Sequence, residues 1–173
     1  MHLGHLNVAI TILEKKLADR VWMMPCRLNP LKDRSGLLTD SERIEMLEKA
    51  IAYYRRQGVS GIEINLRELS MPSPSYTVDT VKTLMAEHTG EDFRLVVGAD
   101  SYLSFRKWKD WEWLEENLAP IAFPRPGYEI GEIRPLWTFL EGVEEIAISS
   151  TQIREMETDQ EQFRNIMPWS GVK

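Results

Sequence analysis

The feature that most constrains the fold is the alternation of short apolar runs with helical stripes. Positions Leu6, Ala9, Ile10, Leu13 and Leu17 recur at helical spacing within 5–17. Val21-Trp22-Met23-Met24 is a short apolar run stopped by Pro25, as a buried strand is. Thr39-Asp40-Ser41-Glu42 reads as a capping box that opens a helix to about Gln57, with Gly58 as its stop. The spacing then predicts a strand over 61–69, a helix over 77–88 ended by Gly90, and a strand over 93–97 closing in Gly98-Ala99-Asp100. A Trp-rich helical stretch follows, then strands over 120–123 and 143–148, the last running into Ser149-Ser150-Thr151 and a helix.

Strands alternating with helices imply an α/β fold, a parallel sheet with helices on both faces. Its 173 residues suit one domain spanning 1–173. Ligands of such sheets bind beyond the carboxyl ends of the strands. Pro25, Gly98-Ala99-Asp100, Arg125 and Ser149-Ser150-Thr151 all fall at those ends, so the site is expected there.

Composition narrows the partners. The formal net charge of −6 argues against a nucleic-acid partner. No apolar run is long enough to span a membrane, and no secretory signal opens the chain, so a cytoplasmic protein is expected. One cysteine, Cys26, forms no internal disulfide, and no Cys cluster suggests zinc.

Two segments carry chemistry. His2 and His5 are three apart, so they share a face of the first helical turn, where free N–H groups favour an anion. Gly4 leaves room for a ligand against the backbone. From these four residues alone, an exposed tail or a metal-binding histidine pair is the commoner outcome. At the other end, Ser149, Ser150 and Thr151 crowd the start of a helix, and Arg154 adds a planar cation in its first turn. Hydroxyls, N–H groups and guanidinium make an oxyanion cradle, although Ser and Thr also serve as ordinary helix caps.

Taken together, His2-Leu3-Gly4-His5 and Ile148-Ser149-Ser150-Thr151-Gln152-Ile153-Arg154 resemble the nucleotidyltransferase α/β family. Further pieces are Asn29-Pro30-Leu31-Lys32, Gly98-Ala99-Asp100 and Arg125-Pro126-Gly127-Tyr128. Ser75-Tyr76-Thr77-Val78-Asp79-Thr80 and the pair Trp108 and Trp111 favour the nicotinate-nucleotide adenylyltransferase branch. The resemblance covers nearly the whole chain. It implies a Rossmann-like sheet and adenylyl transfer from ATP to nicotinic acid mononucleotide, with Mg²⁺ held mainly through ATP phosphates. It implies phosphate contacts from His2, His5 and Arg154, with Gly4, Ser149, Ser150 and Thr151 completing the triphosphate site. Gly98 and Asp100 would line the adenosine region, Thr77 and Trp108 would receive the pyridine ring, and Lys32 and Arg125 are candidate phosphate contacts. A homo-oligomer is compatible with this reading.

The family carries a first strand ending in Gly-x-Phe-x-Pro ahead of its His-x-Gly-His, whereas here Met1 directly precedes His2. The expectation is a chain cut short at an internal methionine, missing its first, central strand. Two rivals follow: a pantetheine-phosphate or nicotinamide-nucleotide adenylyltransferase, and a non-catalytic nucleotide-binding fragment.

Overall fold

The computed structural model describes residues 3–25, 39–72 and 74–143. His2, Lys32, Ser149, Ser150, Thr151 and Arg154, with the strand expected over 143–148 apart from its first residue, lie outside the described residues. The described residues divide into two compact units, one reaching Ser70 and one starting at Met71.

In the first unit the order is α1 (Leu3–Glu14), β1 (Val21–Met23), α2 (Asp40–Arg56), β2 (Ile62–Ile64) and the short α3 (Arg67–Ser70). β1 and β2 pair in parallel, with Val21 opposite Ile62 and Met23 opposite Ile64. The core joins both helices to this pair: Leu6 and Ala9 from α1, Leu47, Ala50 and Ile51 from α2, and Met23 and Ile62 from the strands. Burying each large aliphatic side chain contributes about 1.5–3 kcal/mol. Gly61 is required where β2 begins. Its φ is +86°, and a Cβ there would lie 2.9 Å from the Asp19 carbonyl oxygen.

The α2 helix begins as its capping box dictates. Thr39 Oγ1 accepts the Glu42 N–H at 3.2 Å, and the Glu42 carboxylate accepts the Thr39 N–H at 2.7 Å. The Thr39 N–H, and after it the Thr39 hydroxyl donating at 2.8 Å, hold the Glu42 carboxyl below its ordinary pKa.

The second unit contains α4 (Thr77–Glu87), β3 (Val96–Gly98), α5 (Ala99–Ser104), a 3₁₀ turn (Phe105–Lys107), α6 (Trp111–Leu118), β4 (Ile121–Phe123) and β5 (Thr138–Phe139). Its sheet is parallel throughout in the order β3-β4-β5. Val78, Val97, Phe105, Leu114, Leu118, Ala122 and Trp137 belong to its core. Arg134 stacks over Tyr102, 4.4 Å from the ring centre, and pairs with Glu115 at 3.2 Å.

The α/β alternation with parallel pairing stands as expected, and four details differ, the first being that the strand expected over 93–97 begins only at Val96. The strand expected over 61–69 ends at Ile64, because Asn65 Oδ1 accepts the Arg67 N–H at 2.9 Å and turns the chain into α3. The Trp-rich stretch is broken between Lys107 and Trp111, where Asp110 takes a left-handed φ of +49°. β5 was not expected. Its two residues follow the buried Trp137 and pair with Ile121 and Ala122.

Candidate active site

The carboxyl ends of β3 and β4 bring together three of the expected residues. Gly98 closes β3 and lies opposite Phe123 of β4. Asp100 follows in the first turn of α5, and Arg125 lies two residues past β4. Arg125 NH1 donates to Asp100 Oδ2 at 3.1 Å, each side chain being about one-third exposed (35% and 32%). A type of tight turn returns the chain at Gly127, whose φ is +81°, and the Tyr128 N–H donates to the Arg125 carbonyl. The other oxygen of Asp100, Oδ1, is buried and has no hydrogen-bond partner among the described residues. A buried acceptor without a donor is costly, so a ligand hydroxyl arriving there is favoured. A Cβ on Gly98 would sit 2.6 Å from both Arg125 Cδ and Asp100 Oδ1, so any larger residue must displace the pair.

A second cluster surrounds the head of α4. Ser75, Tyr76 and Thr77 form one side of a cavity of about 260 Å³, and Lys107, Trp108 and Lys109 form the other. That volume is at the low end for ligand pockets and suits a single ring with its substituent. Trp108 is half-buried, and its indole packs against the core residue Phe105 with ring centres 5.2 Å apart. Tyr76 is the N-cap of α4 and makes no side-chain cap hydrogen bond. Thr80 steadies the turn by donating to the Met71 sulfur at 3.3 Å, and its side chain is buried.

Lysines give this cavity its charge. Lys109 Nζ donates to both oxygens of Asp79, at 3.1 and 2.9 Å, and lies 4.9 Å from the centre of the Tyr76 ring. The hydrogen bond to Asp79 holds its pKa above the ordinary lysine value, so it is cationic across the neutral range. An aromatic wall beside ammonium groups suits a flat anion.

Gly4 and His5 lie in the first turn of α1, in the other unit, and His5 is partly buried. Thus the expected residues group as Gly98, Asp100 and Arg125 on one hand, and Thr77 with Trp108 on the other. Asp79 entered only within the motif over 75–80, and Lys107 and Lys109 were not singled out from the sequence. The signal for them was the Lys-Trp-Lys triplet around Trp108. Among the described residues, no three His, Cys, Asp or Glu side chains converge as a metal ion would need. No described helix is long and apolar enough to cross a membrane.

The chain is also similar to known proteins. Residues 1–156 match the family described as cytidylyltransferase-like. The chain is 32% identical over 169 residues to a probable nicotinate-nucleotide adenylyltransferase of Azobacteroides pseudotrichonymphae, covering 97% of this chain and 86% of that one. It is 34% identical to the protein of the same description from Porphyromonas gingivalis, covering 97% and 84%. In fold it is similar to Plasmodium falciparum nicotinic acid mononucleotide adenylyltransferase complexed with NaAD, with a TM-score of 0.75 at 22% identity over 96% of this chain and 84% of that one.

Proposed function

The chain belongs to the cytidylyltransferase-like family, as a nucleotidyltransferase of its nicotinate-nucleotide adenylyltransferase branch, and from that premise we propose that it transfers the adenylyl group of ATP to nicotinic acid mononucleotide. The products are deamido-NAD and pyrophosphate. An oxygen of the mononucleotide phosphate attacks the α-phosphorus of ATP, the new P–O bond forms in line, and the bond to the bridging oxygen breaks. A phosphate monoester has a second pKa of about 6, so the nucleophile is already ionised and no general base is required. Catalysis is then positioning plus neutralisation of the departing pyrophosphate. Mg²⁺, when bound, would be held mainly by ATP phosphate oxygens and would offset their charge.

The roles follow from the chemistry of each group. His5 and His2, with Gly4 between them, meet the phosphates at the head of α1. Ser149, Ser150, Thr151 and Arg154 hold the triphosphate, and Lys32 adds a phosphate contact. Asp100 Oδ1 accepts a ribose hydroxyl beside Gly98, and the guanidinium N–H groups of Arg125 not given to Asp100 are offered to phosphate. Thr77 and Trp108 receive the pyridine ring. A single cytoplasmic domain over 1–173 goes with this reading.

The observation that carries the reading is the cavity pairing Trp108 with the uncapped head of α4 under Lys109. A flat ring stacks on the indole, while its carboxylate meets the N–H groups at the head of α4. ATP labelled at its α-phosphorus tests the reaction. The label should appear in a dinucleotide only when nicotinic acid mononucleotide is present. Label remaining in ATP, with the mononucleotide bound but unconverted, would instead identify a binding module.

A further inference from the structure

The two walls of the ring cavity are remote in sequence, and side-chain pairs tie them: Lys109 with Asp79 at 2.9 Å and, beside it, the looser Lys82 with Asp110 at 3.8 Å. One wall, residues 75–77, leads into α4. The other, residues 107–109, is the end of the 3₁₀ turn with its exit. Lys109 belongs to the second wall, yet both of its short contacts are made with the first: the Asp79 carboxylate at 2.9 and 3.1 Å, and the Tyr76 ring at 4.9 Å. Trp108 is its immediate neighbour in the chain. Directly after Lys109 the backbone passes through the left-handed Asp110, a strained conformation that the surrounding contacts must hold.

We propose that Lys109 and Asp79 form a clasp that sets the separation between the Trp108 indole and the head of α4, and so pre-organises the cavity for the pyridine ring. They are positioning residues and act through Trp108 and Thr77. This proposal rests on the function given above. The energetics favour such a role. Lys109 and Asp79 are each 43% exposed, so the pair adds little to global stability. What it supplies is a fixed gap. A ring gains most from stacking when the opposing wall is held at contact distance before it arrives, because loop ordering then costs nothing on binding.

The test is a double-mutant cycle on the full chain, using K109Q, D79N and their combination, with K109R as the conservative variant. Calorimetric titration gives the Kd for nicotinic acid mononucleotide, steady-state assays give KM for ATP and kcat, and thermal melts check folding. Each single substitution should weaken mononucleotide binding about two- to fivefold, the range expected when an exposed pair is lost. KM for ATP should not move. The double variant should be no worse than either single, since a broken clasp cannot be broken again. K109R should restore most of the affinity.

Three results would overturn the clasp. The first is equal affinity in K109Q and the unsubstituted chain. The second is strict additivity in the double variant. The third is a loss in K109Q alone that also erases discrimination against nicotinamide mononucleotide, which would make Lys109 a direct partner of the ring carboxylate. Failure of the unsubstituted chain to form dinucleotide, with mononucleotide binding intact and lost in K109Q and D79N alike, would remove the proposed function and leave the clasp standing. Absence of mononucleotide binding by the unsubstituted chain would overturn both.

Discussion

Replacing Gly98 by alanine isolates one close contact at the end of β3. The residue has φ −73° and ψ 162°, which alanine adopts without strain, so the backbone contributes no penalty. The added Cβ would stand 2.6 Å from Arg125 Cδ, 2.6 Å from Asp100 Oδ1 and 3.2 Å from Arg125 Cγ. Ordinary contact lies near 3.5–4.0 Å, so both side chains must retreat by roughly 1 Å. They are bonded to each other at 3.1 Å and cannot both retreat without loosening that bond. Overpacking of this kind costs about 1–3 kcal/mol. Both side chains can swing toward solvent, and alanine lowers the entropy of the unfolded chain, so the low end applies. We expect G98A to lose about 1–2 kcal/mol and to melt about 2–6 °C lower. KM for ATP should rise about tenfold or more, because the Asp100 acceptor is displaced from where a ribose hydroxyl would meet it. Scanning calorimetry and initial rates at varied ATP provide the measurements. Arg125→Ala removes two of the three clashing atoms, so G98A should cost less stability in that background. Identical melting and ATP kinetics in G98A and the unsubstituted chain would refute the reasoning.

Three other outcomes follow from the described contacts. Thr39→Ala removes the hydroxyl from the α2 capping box and should cost about 1 kcal/mol in thermal stability. The box lowers the Glu42 pKa in the folded state, so its charged-form contribution is present above the unfolded value near 4.5 and lost as pH falls through the lower folded value; the difference between T39A and the unsubstituted chain should therefore shrink in melts below about pH 4.5. Ala119→Gly, at φ +38°, relieves a left-handed conformation at the end of α6 and should add about 0.5–1 kcal/mol, read as a higher Tm. Trp108→Ala should raise KM for the mononucleotide about tenfold or more while KM for ATP stays near its original value, since the indole is a wall of the ring cavity.

What was legible in the sequence was chemistry decided locally. The capping box at Thr39 and Glu42 needs only neighbours three residues apart, and α2 begins where the motif places it. The 77–88 segment becomes α4 because Val78, Val81 and Met85, spaced i, i+3 and i+7, all pack on one core. Thr77 and Trp108 were reached through motif resemblance, and they line one cavity. The unread features depend on partners far along the chain. Lys109 meets Asp79 across a separation of 30 residues, and Arg94 reaches the Ala119 carbonyl across 25. β5 has two residues, too few for a period, and it exists because β4 offers it an edge. Asn65 diverted the chain from strand to helix through its own side chain, a turn signal hidden inside an alternating run.

On the proposed function, this fold joins AMP to a carboxylate-bearing pyridine mononucleotide. Pyrophosphate release, measured with ATP and in turn nicotinic acid mononucleotide, nicotinamide mononucleotide and phosphopantetheine, tests it most directly. The highest kcat/KM is expected with nicotinic acid mononucleotide, a much lower value with the amide, and none above background with phosphopantetheine. Equal turnover of acid and amide, or preference for phosphopantetheine, would contradict it.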